Sequence, residues 1–312
     1  MPRGAIDVHH HILPPAYVET ARRMNRLADV LGANPARISW TPSDSLAAMD
    51  AFGIETAVVS ISTPGVWWGD AAAARDLARA CNDFAAGMVR EHPGRYGFFA
   101  ALPLPDVEAS LAEIRRAFDV LGATGVGLMT NYEGRWPGEA AFAPVFDELN
   151  RRRAAVFFHP TVADCCRDLI PGVGPSAIEY PLDTTRAVTS LLAGGTLGRC
   201  PSVRWIFAHG GGAVPMLADR IARLVKTDAV KALPHGALHE LKRLYFDIAI
   251  ATSEPALTAL LKFAPIENVL FGSDFPFVPV ENVVDGLRAA GLPLADLARI
   301  ERENAASLLG FR

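Results

Sequence analysis

Short apolar runs rich in β-branched and aromatic residues alternate with amphipathic stretches along the whole chain. The runs predicted as strands are Ala5–Val8, Thr56–Ser62, Tyr96–Ala100, Gly125–Met129, Ala155–Phe158, Val203–Ala208, Leu244–Ile248 and Val269–Phe271. Between them, spacing near 3.6 residues predicts helices over Ser45–Phe52, Ala71–Arg90, Val107–Leu121, Phe142–Arg152, Thr184–Leu192, Pro215–Val225 and Glu254–Phe263. Two more follow the last strand, over Val280–Ala290 and Leu294–Leu309. Local punctuation agrees: Pro42-Ser43-Asp44 opens the first helix and Gly53 stops it. Residues 16–40 carry Gly32 and Pro35 in a mixed pattern and read as an N-terminal excursion. Strand–helix alternation signals a parallel sheet with crossover helices. Nothing resembling a linker divides the chain, so residues 1–312 read as one α/β domain, a single (β/α)₈ TIM barrel with a C-terminal helix. An open doubly wound sheet is expected to carry a Gly-rich phosphate turn after an early strand, and none is present.

In such a barrel the chemistry sits at the C-terminal strand ends. Strand one runs into His9-His10-His11, strand five into His159, strand six into His209 and strand eight into Asp274. Alternation along a strand puts His9 and His11 on one face, and His10 on the other as a packed or surface histidine. Of the eight histidines, the remaining three, His92, His235 and His239, fall in helix ends or loops. Imidazoles with one carboxylate suit zinc, or alternatively manganese, iron or cobalt, and do not suit calcium or magnesium. Strand four ends Gly127-Leu128-Met129-Thr130-Asn131 without a lysine, so no carbamylated lysine bridges two metals there and one ion is favoured. Substrate contacts are expected from Asn131, from Arg186 after Asp183-Thr184-Thr185, and from Trp67 in the Trp67-Trp68 pair. For these the alternatives are a turn asparagine, a helix-start residue and an interface tryptophan.

Composition narrows the partners. Half of the residues are hydrophobic and 21% are charged, enough for a large core. A net charge of −4 without basic runs argues against nucleic acid. The absence of an eighteen-residue apolar stretch argues against a membrane span, and no export signal is evident. Cys81, Cys165, Cys166 and Cys200 match neither a zinc ribbon nor a disulfide framework. Reduced thiols and a cytoplasmic location are expected, with no role inferred for Cys165 and Cys166.

Asp7-x-His9-x-His11, His159-Pro160, His209-x-Gly211-Gly212 and Gly272-Ser273-Asp274-Phe275-Pro276 together resemble the amidohydrolase superfamily. More closely they are similar to its decarboxylase branch, which includes aminocarboxymuconate-semialdehyde, γ-resorcylate and 6-methylsalicylate decarboxylases, nearest the last. The resemblance spans the chain, taking in Trp40-Thr41-Pro42, the stretch Glu179–Arg186 and Glu303-Asn304-Ala305. It implies that His9, His11, His159 and Asp274 bind the metal. It places His209 beside the ion as acid/base or as a hydrogen-bond partner for metal-bound water, lines the pocket with Phe277, and implies a homodimer. The semialdehyde decarboxylase has a substrate-carboxylate arginine in the helix before strand two. Here Ser43–Met49 has none, so a substrate with one carboxylate fits better.

The function expected is non-oxidative decarboxylation of a small aromatic acid with an ortho hydroxyl, Asp274 or His209 protonating the ring carbon. The alternative is hydrolysis of a lactone, ester or amide by metal-activated water.

Overall fold

A computed structural model describes residues 4–32 and 34–311. Eight parallel strands follow one another in a sheet of order β1 to β8. They are β1 (Ala5–His11), β2 (Ile54–Ser60), β3 (Tyr96–Ala101), β4 (Gly125–Met129), β5 (Ala155–His159), β6 (Arg204–Phe207), β7 (Tyr245–Asp247) and β8 (Val269–Leu270). The last strand is short, yet the chain beyond it returns to β1. Val8 N–H donates to Phe271 O (3.0 Å), Asp274 N–H to His9 O (2.7 Å) and His11 N–H to Phe275 O (2.7 Å). Those bonds close the sheet into a (β/α)₈ barrel, with helices around it. No helix among the described residues is long and apolar enough to cross a membrane.

Several elements differ from the periodicity reading. The excursion contains two short helices, α1 (Pro15–Arg23) and α2 (Leu27–Leu31), and a 3-10 turn. The next helix, α3 (Pro42–Phe52), starts at a capping box in which Thr41 and Asp44 satisfy each other's free backbone N–H groups. After α4 (Ala71–Glu91), helix α5 (Val107–Arg116) ends in a π turn over Ala117–Leu121. Helix α6 (Ala143–Arg151) comes before β5, and α7 (Glu179–Ala193) begins five residues earlier than expected. Asp183-Thr184-Thr185 therefore lies inside α7, not at its start. The connection from α7 to β7 holds α8 (Thr196–Arg199), α9 (Val214–Leu224), α10 (Asp228–Lys231) and α11 (Ala237–Lys242). Of these, only α9 was legible.

Two apolar layers hold the barrel. One packs the outer sheet face against the helices. The other fills the interior with Ile6, Val8, Val58, Phe99, Phe157, Ile206 and Leu270. Ala305 and Leu308 of the C-terminal helix (Asn304–Leu309) plug that interior at the end where strands begin, leaving the opposite mouth to the polar residues.

Candidate metal centre

The centre starts from an irregularity in β1. Asp7 pairs with Ala57 and His10 with Val59, so Val8 and His9 together oppose Val58 alone. That extra residue is a β-bulge, which re-aims the side chains after it. Ile6 and Val8 enter the interior layer, and His9 turns inward directly after them, against Phe157 at 5.0 Å between ring centres. His11 follows on the same side as His9. Perfect alternation would have put Val8 opposite His9. His10 points outward, fully buried, between Asp7 (Nδ1 to Oδ2, 3.0 Å) and Ser45 of α3 (Nε2 to Oγ, 3.0 Å). It is the packed histidine expected.

His9, His11, His159 and Asp274 are all buried, and each brings one ligand atom within 4.8 Å of the others. The Nε2 atoms of His9 and His11 stand 3.0 Å apart, and lie 3.3 and 3.2 Å from Asp274 Oδ1. Behind them every Nδ1 has an oxygen partner: Asp247 for His9 (2.9 Å), the Ser60 carbonyl for His11 (3.3 Å) and the Pro160 carbonyl for His159 (2.9 Å). Carbonyl and carboxylate oxygens accept only, so Nδ1 of His9 and of His159 donates, while His11 Nδ1 also meets the Ser60 hydroxyl (3.2 Å); the Nε2 side of each ring faces the centre. Asp274 Oδ1 and His209 Nε2 are buried without a hydrogen-bond partner among the described residues. His209 Nε2 sits 3.5 Å from Asp274 Oδ2.

The electrostatics fit a cation. Burial, reinforced for His159 by neighbouring imidazoles, lowers the His11 and His159 pKa values and keeps those rings neutral. Burial opposes charge on His9 too, but the Asp247 and Asp274 carboxylates outweigh it and raise His9 to about 10. Burial pushes the Asp274 carboxyl up, yet the charge on His9 and the close approach of the His11 and His209 imidazoles leave it well below the usual carboxylate range. Two carboxylates thus draw positive charge to this cluster, carried here by His9, which is the charge a bound cation would supply.

His209 (φ 56°) and Asp274 (φ 61°) both occupy the left-handed region, uncommon for residues with side chains. The turn after His209 also requires Gly212 (φ 63°), where a Cβ would collide with the Pro181 carbonyl of α7.

The other expected contacts are spread around this centre. Phe277 stacks edge-on against His11 (5.5 Å) and under the Arg37 guanidinium (4.9 Å). Arg37 also donates to the carbonyls of Leu31, Pro276 and Phe277. Asn131 gives one amide hydrogen to Asp183 (2.7 Å) and accepts the Gly134 N–H, as a turn residue would. Arg186 lies 3.9 Å from Glu179 and 3.7 Å from Asp183, along a 520 Å³ cavity between α7 and α9. Trp67 is half-buried with its indole N–H unpartnered among the described residues. Cys165 and Cys166 are free thiols 2.8 Å apart in the loop after β5, and neither joins the cluster.

Sequence reading missed three residues. Asp247 was read inside strand seven, with nothing to mark it as a partner of His9. Asp183, fully buried, accepts from Thr130 (2.5 Å), Asn131 and Trp136 (3.0 Å) and ties β4 to α7. Tyr180 stands 6.5 Å from the His159 ring. Their signal was only position: the last residue of a strand, and the first turns of a helix facing the mouth.

A family model for amidohydrolases matches residues 6–311. The chain belongs to the amidohydrolase family. Its relatives include a decarboxylase of Aspergillus niger, 38% identical over 296 residues, covering 89% of this chain and 78% of that protein. The 6-methylsalicylic acid decarboxylase of Aspergillus aculeatus is 36% identical over 320 residues, covering 97% and 95%. Among solved structures, an amidohydrolase II superposes with a TM-score of 0.86 at 29% identity, covering 98% of this chain and 99% of that one. The 5-carboxyvanillate decarboxylase of Sphingomonas paucimobilis shares the fold, with a TM-score of 0.89 at 23% identity and full coverage of both chains.

Proposed function

We propose that this amidohydrolase-family member is a metal-dependent, non-oxidative decarboxylase of a small aromatic acid with an ortho hydroxyl, of the 6-methylsalicylate kind. The single observation carrying this reading is the convergence of His9, His11, His159 and Asp274 on one point, with His209 at the edge, in a chain related to named decarboxylases. His9, His11, His159 and Asp274 would hold one divalent ion. Zinc suits these donors, and manganese is the alternative, being bound in the 5-carboxyvanillate decarboxylase of Novosphingobium aromaticivorans. When bound, the ion supplies Lewis-acid charge to a carboxylate and its neighbouring hydroxyl oxygen.

The chain's own groups supply the proton. His209 reaches the edge of the site with its Nε2 beside Asp274 Oδ2 (3.5 Å), a path for a proton between solvent and the buried carboxylate. Asp274 rests ionised, so once protonated it is a strong acid placed inside a dry site. Transfer of that proton to the ring carbon bearing the carboxylate interrupts aromaticity. The C–C bond to the carboxylate then breaks, its electron pair restores the ring, and carbon dioxide leaves. Phe277 walls the ring's position beside His11, and Trp67, Asn131 and Arg186 are the further substrate contacts in this reading. A homodimer and a cytoplasmic location complete it.

Carbon dioxide release from substituted salicylates, measured on metal-loaded protein beside lactone and ester panels, tests the proposal. Release from a hydroxybenzoate supports it; turnover of esters or lactones alone would transfer the site to hydrolysis.

A further inference from the structure

We infer that Asp247 is a positioning residue that sets both halves of the centre at once, the donor atom of His9 and the backbone turn that aims His209. The inference rests on the metal reading above. Asp247 ends β7 and is fully buried. Its two oxygens have different clients. Oδ2 accepts from His9 Nδ1 at 2.9 Å, while Oδ1 accepts the backbone N–H of His209 at 3.1 Å and of Ala249 at 2.9 Å. A carboxylate only accepts, so contact with Oδ2 keeps the proton on Nδ1 and leaves Nε2 as the free donor. Through Oδ1 the same group pins a residue held at φ 56°, a conformation that persists only where its surroundings enforce it.

The neighbouring strand is shaped for this pair. Gly272, beyond β8, faces them so closely that a Cβ there would stand 2.7 Å from the His9 Cβ and 2.9 Å from the Asp247 Cβ. The room for the His9–Asp247 contact is therefore made by the absence of a side chain on β8's continuation. Three separate parts of the barrel, β1, β7 with the β6 turn, and the β8 extension, meet at one carboxylate.

The test separates this role from plain packing. Asp247→Asn preserves shape, and its amide oxygen can still accept from His209 and Ala249. Its amide nitrogen, however, donates toward His9 Nδ1, which moves the imidazole proton to Nε2 and blocks it as a ligand. Zinc affinity, measured by competition with a chromophoric chelator, is expected to fall about 10- to 100-fold, with far-UV circular dichroism unchanged. Long-range ¹H–¹⁵N spectra should show Nδ1–H for His9 in the zinc-loaded wild type. The apo variant should show Nε2–H. Affinity within twofold of wild type, with His9 still protonated at Nδ1, would overturn the assignment. If the variant does not fold, the wild-type spectrum decides, and an unprotonated Nδ1 there would overturn the assignment. A wild-type protein that binds no divalent metal would instead defeat the metal reading itself.

Discussion

His209 and Ser45 show how residues of similar polarity divide between chemistry and support. His209 has its Nε2 free beside Asp274, so truncation should remove proton transfer and leave the four proposed ligands in place. His209→Ala is expected to lower kcat by about 10²- to 10⁴-fold while elemental analysis finds the wild-type metal content; an unchanged kcat would remove it from the reaction. Ser45 instead donates its O–H to His10 Nε2 and accepts the Trp40 indole N–H (3.2 Å) in a fully buried spot. Ser45→Ala strands these partners, at a cost of about 1–3 kcal/mol. A lower Tm with unaltered metal content is the outcome to look for. The five strand-end residues were legible because four imidazoles and a carboxylate after apolar runs break the local pattern. Asp247 was not, since its partner His9 lies 238 positions away. Hydrogen bonds across a barrel leave no trace in local periodicity.

At the scale of elements, the bulge in β1 is the irregularity on which the centre depends. It lets Val8 and His9 both serve the interior, and no turn residue announces it. The early start of α7 escaped because Pro181 and Asp183-Thr184-Thr185 mimic a helix start in the local sequence. Elsewhere a charge clasp joins two outer elements. Glu148 of α6 holds Arg151 and Arg152, and Arg152 reaches Asp119 on the π turn following α5 (2.6 Å). Hydrogen bonds from Arg151, with Arg152, lower Glu148 to about 2 although partial burial opposes this. A folded-state pKa below the unfolded one means stability present above about pH 4.5 and lost as pH falls towards 2. Glu148→Gln should therefore lower Tm on the neutral plateau and leave it nearly unchanged near pH 2, which flattens the acid limb of a Tm-against-pH curve. An acid limb identical to wild type would show the clasp contributes nothing.

For the whole molecule, the barrel is a device for bringing β1, β5, the β6 turn and the β8 extension to one mouth. The alternation of eight apolar runs with helices foretold that arrangement, and the closing bonds from β1 N–H groups to the Phe271 and Phe275 carbonyls complete it. An ion bound by distant segments stabilises the folded state alone, by about 2.7 kcal/mol at a hundredfold excess over Kd. Stripping the protein with a chelator should accordingly lower Tm by several degrees, and added zinc or manganese should restore it; an indifferent Tm would speak against a bound ion. The central claim, that this centre decarboxylates an ortho-hydroxy aromatic acid, is tested most directly by carbon dioxide evolution from 6-methylsalicylate on metal-loaded and metal-stripped protein. The account predicts one carbon dioxide per ring consumed, lost on stripping and regained with metal. Evolution that is absent from every salicylate, or that persists without metal, would contradict it.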